Sequence, residues 1–236
     1  MPGRLASGQR LRHGGRTWDQ HENRPRALLQ LQDVFIDHFI QSFDTTPTHR
    51  VFDMDTFDDP MHGQQQRTFF HGHYEQYQYL PRAITCANND AVVMVALLFG
   101  TAKPILGVVD DLYYLVTRLR GVWPDVRISI RADASFAVPE VYIGCETLRL
   151  EYTIGLGINS VLKRRSETLL EKALKDFTKK AEPQRQFDAF EYQAATWSEP
   201  RWVVLKAEAN AQGTNRRAVV TNRSGARVLP EATYDD

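Results

Sequence analysis

The stretch Val51-Phe-Asp-Met-Asp-Thr-Phe-Asp-Asp-Pro-Met-His-Gly-Gln-Gln65 begins as a short strand and runs into an acidic loop. Side chains alternate along a strand with period 2, so Asp53 and Asp55 project from the same face. Asp58 and Asp59 follow at once, which puts four carboxylates within seven residues. Such a cluster repels itself unless a divalent cation or nearby bases neutralise it. Hard carboxylate oxygens suit Mg2+ or Mn2+, which take a few carboxylates and keep positions for water or phosphate. An aspartate at a strand end is also held on a rigid support.

Working outward, Leu28, Leu31, Phe35, Phe39 and Phe43 recur at helical spacing and predict an amphipathic helix over 27–43, ended by Asp44-Thr-Thr-Pro47. Downstream, 67–79 is aromatic and polar and predicts a strand pair or a strand and turn, and 90–98 a Val-rich buried strand. The face formed by Val108, Leu112, Leu115, Val116 and Leu119 predicts a helix stopped by Pro124. Val126-Arg-Ile-Ser-Ile-Arg131 then alternates as a strand and delivers Asp133 at its end. The order β-β-β-α-β implies an α/β fold with a sheet of mixed strand directions. A short helix over 139–150, a strand over 151–155 and a long polar helix over 159–182 come next. Three strand-like runs, 187–196, 201–209 and 216–222, predict a small antiparallel unit.

The chain of 236 residues, 42% hydrophobic, is long enough to bury a sizeable core and is neither disordered nor collagen-like. Twenty-nine basic side chains balance twenty-nine acidic ones, which taken as a sum argues against a nucleic-acid partner. By segment the picture differs. Seven Asp face only Arg50 between residues 33 and 60, whereas residues 201–228 hold six basic side chains against Glu208 alone. Acid is concentrated early and base late, as expected of a metal site and a phosphate-facing surface in one chain. Cys86 and Cys145, 59 residues apart, form neither a disulfide framework nor a zinc motif and read as buried packing residues in a reduced, cytoplasmic setting. The longest apolar run, 91–99, is nine residues, short of the ~20 needed to cross a bilayer. The Arg-rich first residues carry no secretory signal and read as a mobile basic tail.

Taken together, these motifs resemble bacterial insertion-sequence transposases of the DDE type, which have an RNase H-like catalytic core. The resemblance is carried by Val51-Phe-Asp-Met-Asp-Thr56 with Asp59-Pro60-x-His62-Gly63-x-Gln65, by Phe69-Phe-His-Gly-His-Tyr74 with Tyr79-Leu-Pro81, by Trp123-Pro124-x-Val-Arg-Ile128, by Arg131-x-Asp133-x-x-Phe136 and by Val219-Val-Thr-Asn222. These occur in the family's order over about 21–236, and Glu22-Asn23-Arg24 is similar to the family's lead-in to the core. The resemblance implies a mixed sheet with flanking helices and a β-rich inserted subdomain. It divides the chain into a basic segment 1–26, a partial catalytic core 27–160, a helix plus β-rich insertion 161–228, and the start of a C-terminal catalytic region 229–236.

The resemblance further implies that Asp55, or its neighbour Asp53, is the first catalytic and metal-binding aspartate and Asp133 the second, with His62 and Gln65 in support. The cofactor is then Mg2+ or Mn2+, and the reaction is two-metal cleavage and strand transfer at the element's ends. The implied partners are double-stranded DNA, as transposon ends and target, and further copies of the chain assembled on it, in a bacterial cytoplasm at the nucleoid. Trp202, Lys206, Arg216 and Arg217 fall in the inserted strands that contact DNA in such proteins, and Trp197 flanks the same loop.

Three departures matter. Leu98-Phe-Gly-Thr-Ala-Lys-Pro104 differs from the family's segment at that place. The first 20 residues match no family motif. The family's catalytic Glu lies in a C-terminal helix beyond a Tyr-rich segment that Tyr234 begins, so the expectation is a chain truncated at both ends and inactive alone. The alternative is a non-catalytic relic that binds DNA or a full-length transposase. Glu140, Glu146 and Glu151 match no catalytic position. His62, His71 and His73 have a spacing that does not fix a tetrahedral zinc site. The aromatic set Phe69, Phe70, Tyr74, Tyr77 and Tyr79 reads as sheet packing rather than a base-stacking platform.

Overall fold

The computed structural model describes residues 26–63, 69–72, 75–226 and 229–235. In chain order the elements are α1 (Arg26–Gln41), β1 (His49–Thr56), β2 (Asp59–Pro60), β3 (Phe69–His71), β4 (Gln76–Cys86), β5 (Ala91–Phe99), α2 (Val108–Val122), β6 (Arg127–Ala132), α3 (Pro139–Thr147), β7 (Glu151–Leu156), α4 (Ser160–Arg165), α5 (Glu167–Lys180), β8 (Gln184–Tyr192), β9 (Arg201–Asn210), β10 (Gly213–Thr221) and α6 (Pro230–Asp235). The ten strands join one sheet, with β1 between β4 and β6 and the path continuing through β7, β10 and β9 to β8. β5, β2 and β3 all pair with β4.

The strands β5-β4-β1-β6-β7 carry the expected mixed directions: β4 is antiparallel to β5 and β1, while β1, β6 and β7 run parallel. This is the α/β arrangement that the motif order implied. The inserted strands do not form a sheet of their own. β10 pairs antiparallel with β7, so the insertion extends the core sheet by three strands. The expected single helix over 159–182 is two, α4 and α5, broken at Ser166, whose buried hydroxyl donates to the Lys163 carbonyl at 2.8 Å.

One face of the sheet supplies Phe52, Met54, Ile128, Ile130, Tyr152, Ile154 and Leu205 to a single core that includes Ile36 and Phe39 of α1, Leu112 and Leu115 of α2, and Val141 and Tyr142 of α3. Cys86 and Cys145 are fully buried, as expected, and burial pushes the Cys145 thiol up to about 12. The expected stripe of α1 is buried only towards its end, where Phe39 lies in the core and Phe43 packs against it. Leu28 and Leu31 are about half exposed, and Gln32 turns inward, exchanging hydrogen bonds with the Val95 backbone of β5. Arg82 of β4 holds the divergent loop before α2, donating to the carbonyls of Pro104 (2.6 Å) and Leu106 (2.7 Å) and pairing with buried Asp111.

Candidate active site

The parallel strands β1, β6 and β7 end at the same edge of the sheet. Register pairs Asp53 with Arg131 and Met54 with Ala132. Met54 is buried beneath the sheet, so Asp53 and Asp55 point to the opposite face by alternation. Asp53 is paired with a cation. The Arg131 guanidinium grips both of its oxygens, Nε to Oδ1 at 2.6 Å and Nη2 to Oδ2 at 2.7 Å. Such bidentate, charge-assisted geometry fixes the carboxylate and satisfies it.

Continued one residue past its last pair, Met54 with Ala132, the same register sets Asp55 of β1 against Asp133, the residue that follows β6, on strands about 4.8 Å apart. Both are exposed. Asp133 keeps an extended backbone and caps a single 3-10 turn, Ala134–Phe136, its Oδ1 accepting from the Ser135 amide at 2.9 Å and the Ser135 hydroxyl at 2.5 Å. Buried Phe136 anchors that turn. Asp55 Oδ1 accepts from the Thr56 amide at 2.7 Å.

The rest of the acidic loop does not converge on this pair. Asp58 accepts from Gln76 at 3.2 Å, and Asp59 lies on β2 opposite Tyr79. Among the described residues no three His, Cys, Asp or Glu gather closely enough to hold a metal. His62 is exposed, while Gln65, His73, Tyr74 and the His71 side chain lie outside the described residues, as does 1–25 with its Glu22-Asn23-Arg24 motif. Phe70 and Tyr77 pack edge-on across β3 and β4, yet both remain about half exposed, so packing accounts for only one side of each ring.

Cross-strand register carries the face of Asp55 and Asp133 into the insertion. Asp53, Arg131, Thr153, Thr221 and Trp202 lie in one row, while Gly155, Val219 and Val204 continue the Asp55 row. Arg217 and Lys206 form the next row on that face. Arg217 is exposed, whereas Lys206 pairs with Glu208 at 2.8 Å beneath the Tyr234 ring of α6. Arg216 faces the other way and reaches the Lys163 carbonyl at 3.3 Å. Trp197 is 6% exposed and packed between Tyr142 and Tyr192, which leaves its ring no surface on which a base could stack.

On the same face, running from the start of these strands up to Arg131, is a groove of about 480 Å³, lined by His49, Ser129, Glu151, Thr153, Arg223 and Thr233 among others. Ser129 donates to Glu151 at 2.9 Å and meets His49 Nε2 at 2.8 Å. Burial, helped by Arg127, lowers the His49 pKa.

Sequence reasoning missed Arg131, although its position two residues before Asp133 on an alternating strand put it on the same face. It also missed Arg201, 3% exposed, which meets Glu146 of α3 with both Nε and Nη2 at 2.9 Å. Tyr152 donates to the same carboxylate at 2.8 Å. Glu146 thereby has a structural occupation. No helix among the described residues is long and apolar enough to cross a membrane.

A family model described as Transposase DDE domain group 1 matches residues 3–236. No curated protein matches the chain. Among solved structures the chain is similar to a piggyBac transposase synaptic complex with hairpin DNA, at 14% identity and TM-score 0.45, covering 84% of this chain and 38% of that one. It is similar to a simian T-cell lymphotropic virus intasome in complex with the PP2A regulatory subunit B56 gamma, at 16% identity and TM-score 0.31, covering 57% and 43%. A third is an endonuclease V variant from Ciona intestinalis in complex with an inosine-containing 23mer DNA, at 9% identity and TM-score 0.31, covering 86% and 82%.

Proposed function

The chain belongs to the transposase DDE domain group 1 family, and from that premise we propose that it supplies Asp55 and Asp133 as the carboxylate pair of a DNA-cleaving and strand-joining site. The observation that carries this reading is the juxtaposition of two exposed aspartates at the ends of neighbouring parallel strands, while Asp53 is taken up by Arg131. The donor set fits Mg2+ or Mn2+: both donors are hard carboxylates, and Mg2+ is commonly held by one or two of these, with water and substrate phosphate completing the shell. When bound, such ions activate the attacking oxygen and offset charge on the phosphodiester in flight.

The protein's own part is to hold two negative charges at a fixed separation on an open sheet edge, and to keep Asp53 from competing by neutralising it. Arg217, exposed on the same face, provides a phosphate contact for double-stranded DNA, with Lys206 opposite it in the same row and Trp202 further along that face. His62, which follows β2, and Gln65 of the same motif support the pair. Copies of the chain assemble on the DNA ends, and the setting is the bacterial nucleoid.

The test is purified protein with plasmid and linear duplex DNA, with and without Mg2+. Mg2+-dependent nicking or joining that Asp55→Asn and Asp133→Asn each abolish supports the reading. Salt-sensitive binding with no Mg2+-dependent product supports a non-catalytic DNA-binding role instead. Neither binding nor cleavage would overturn both.

A further inference from the structure

We propose that Gly155 and Ser135 are positioning residues for Asp133, an inference that rests on Asp55 and Asp133 being the metal-binding pair. The chain must leave β6 immediately after Ala132 and turn within three residues to bury Phe136. Arg131 lies opposite Thr153, so the register sets Asp133 against Gly155 on β7. A Cβ on Gly155 would stand 3.0 Å from the Ala134 nitrogen, 3.3 Å from the Asp133 carbonyl carbon and 3.5 Å from the Asp133 Cα. The two tight contacts, to the Ala134 nitrogen and the Asp133 carbonyl carbon, are with backbone, so no side-chain rotation relieves them and the backbone carrying the aspartate must give by a few tenths of an ångström. Gly155 is therefore small because the Asp133 turn passes directly across it, a close approach that a strand glycine permits.

Ser135 acts on the carboxylate itself. Its amide and its hydroxyl donate to one oxygen, Oδ1, at 2.9 and 2.5 Å. Two donors on one oxygen fix the rotation of the carboxylate plane, and Oδ2 is the oxygen these bonds leave for a cation shared with Asp55. The amide bond comes with the turn. The hydroxyl bond is specific to Ser or Thr at this position.

Mn2+ binding, read by the electron paramagnetic resonance of the free ion, tests the inference without requiring turnover; thermal melting is followed in parallel. Wild type is compared with Asp55→Asn, Asp133→Asn, Ser135→Ala, Ser135→Thr, Gly155→Ala and Gly157→Ala, the last serving as control because a Cβ there meets nothing within 4 Å. Ser135→Ala and Gly155→Ala are expected to weaken Mn2+ binding roughly tenfold, the low end of what losing an outer partner of a metal ligand costs. Ser135→Thr and Gly157→Ala are expected to stay within about twofold of wild type, and Ser135→Ala to keep its melting temperature. If Asp133→Asn loses the ion while Ser135→Ala binds it like wild type, the positioning inference is overturned and the aspartate pair stands. If neither Asp55→Asn nor Asp133→Asn alters binding, the pair itself is wrong. Should Gly155→Ala fail to fold, the Ser135→Ala and Ser135→Thr comparison decides alone.

Discussion

Arg131 of β6 clasps both carboxylate oxygens of Asp53 on the adjacent strand β1, at 2.6 and 2.7 Å, one pleat before Asp55 and Asp133 emerge. Two aspartates of the motif thus have different duties, one neutralised by an arginine and one exposed. Where Mg2+-dependent DNA processing is observed, with this chain alone or with a transposase that supplies the third carboxylate, Asp53→Asn should lower it by roughly 10–100-fold, as expected of an outer partner, and leave a measurable rate. Asp55→Asn should leave none. Both side chains of the clasp are 38% exposed, so breaking it should cost only about 0.5 kcal/mol of folding stability, measurable by urea unfolding. Complete loss of activity in Asp53→Asn, with residual activity in Asp55→Asn, would reverse the assignment.

Glu146 of α3 ties the insertion to the core by holding buried Arg201 of β9 and accepting from Tyr152 of β7. Removing the carboxylate leaves a guanidinium that is 3% exposed with only the longer contacts to the Glu199 carbonyl (3.4 Å) and carboxylate (3.5 Å). Glu146→Ala should therefore lower the unfolding free energy by about 3 kcal/mol. Glu146→Gln retains an acceptor and should lose less. Equal urea midpoints for wild type and Glu146→Ala would show that Arg201 finds other partners.

The order of strands and helices was legible because alternation and helical spacing are local signals, and Asp133 could be placed at a strand end from its own neighbours. Pairing is not local. Nothing in residues 201–221 says that β10 will lie against β7 rather than close a separate sheet with β8 and β9. Only the first turns of α1 were misread: Gln32 looks polar in sequence yet satisfies the Val95 backbone of β5, with Leu28 and Leu31 left outward, while Phe39 and Phe43 face the core as their spacing predicts. At the site, motif matching could not separate Asp53 from Asp55. The register brings Arg131 beside Asp53 and leaves Asp55 exposed, a difference of surroundings that only the three-dimensional pairing reveals.

Burial raises the Cys145 thiol from its ordinary value of 9.0 to about 12, and the nearby Glu146 charge adds to the effect. The folded state then keeps a proton that the unfolded chain releases above pH 9. Stability from this thiol is fully present below pH 9 and is lost as pH rises through about 12. At pH 10.5 the loss should be on the order of 1–2 kcal/mol. Buried Tyr142 and Tyr152, also shifted upward, add the same sign at higher pH. Cys145→Ala should flatten the part of the decline that begins near pH 9, seen in urea midpoints collected from pH 8 to 10.5; an unchanged slope would refute the assignment to this thiol.

Arg216 and Arg217 are adjacent in sequence but lie on opposite faces of β10, and only Arg217 shares the face of Asp55 and Asp133. Arg217 is exposed and projects past the end of β7, whereas Arg216 is spent on the Lys163 carbonyl of α4 and the Ser166 hydroxyl at its end. If DNA crosses the open face of the sheet, Arg217→Ala should weaken binding to duplex DNA of any sequence and reduce the slope of log K against log salt by about 0.9, the loss of one phosphate contact. Arg216→Ala should leave the slope unchanged and cost about 0.5 kcal/mol of stability through its lost hydrogen bonds. Lys206→Ala should change the slope less than Arg217→Ala, because its ammonium is already paired with Glu208 and lies under Tyr234. Fluorescence anisotropy at several salt concentrations separates these cases. A larger slope change for Arg216→Ala than for Arg217→Ala would place the DNA on the face covered by α4 and α5 instead.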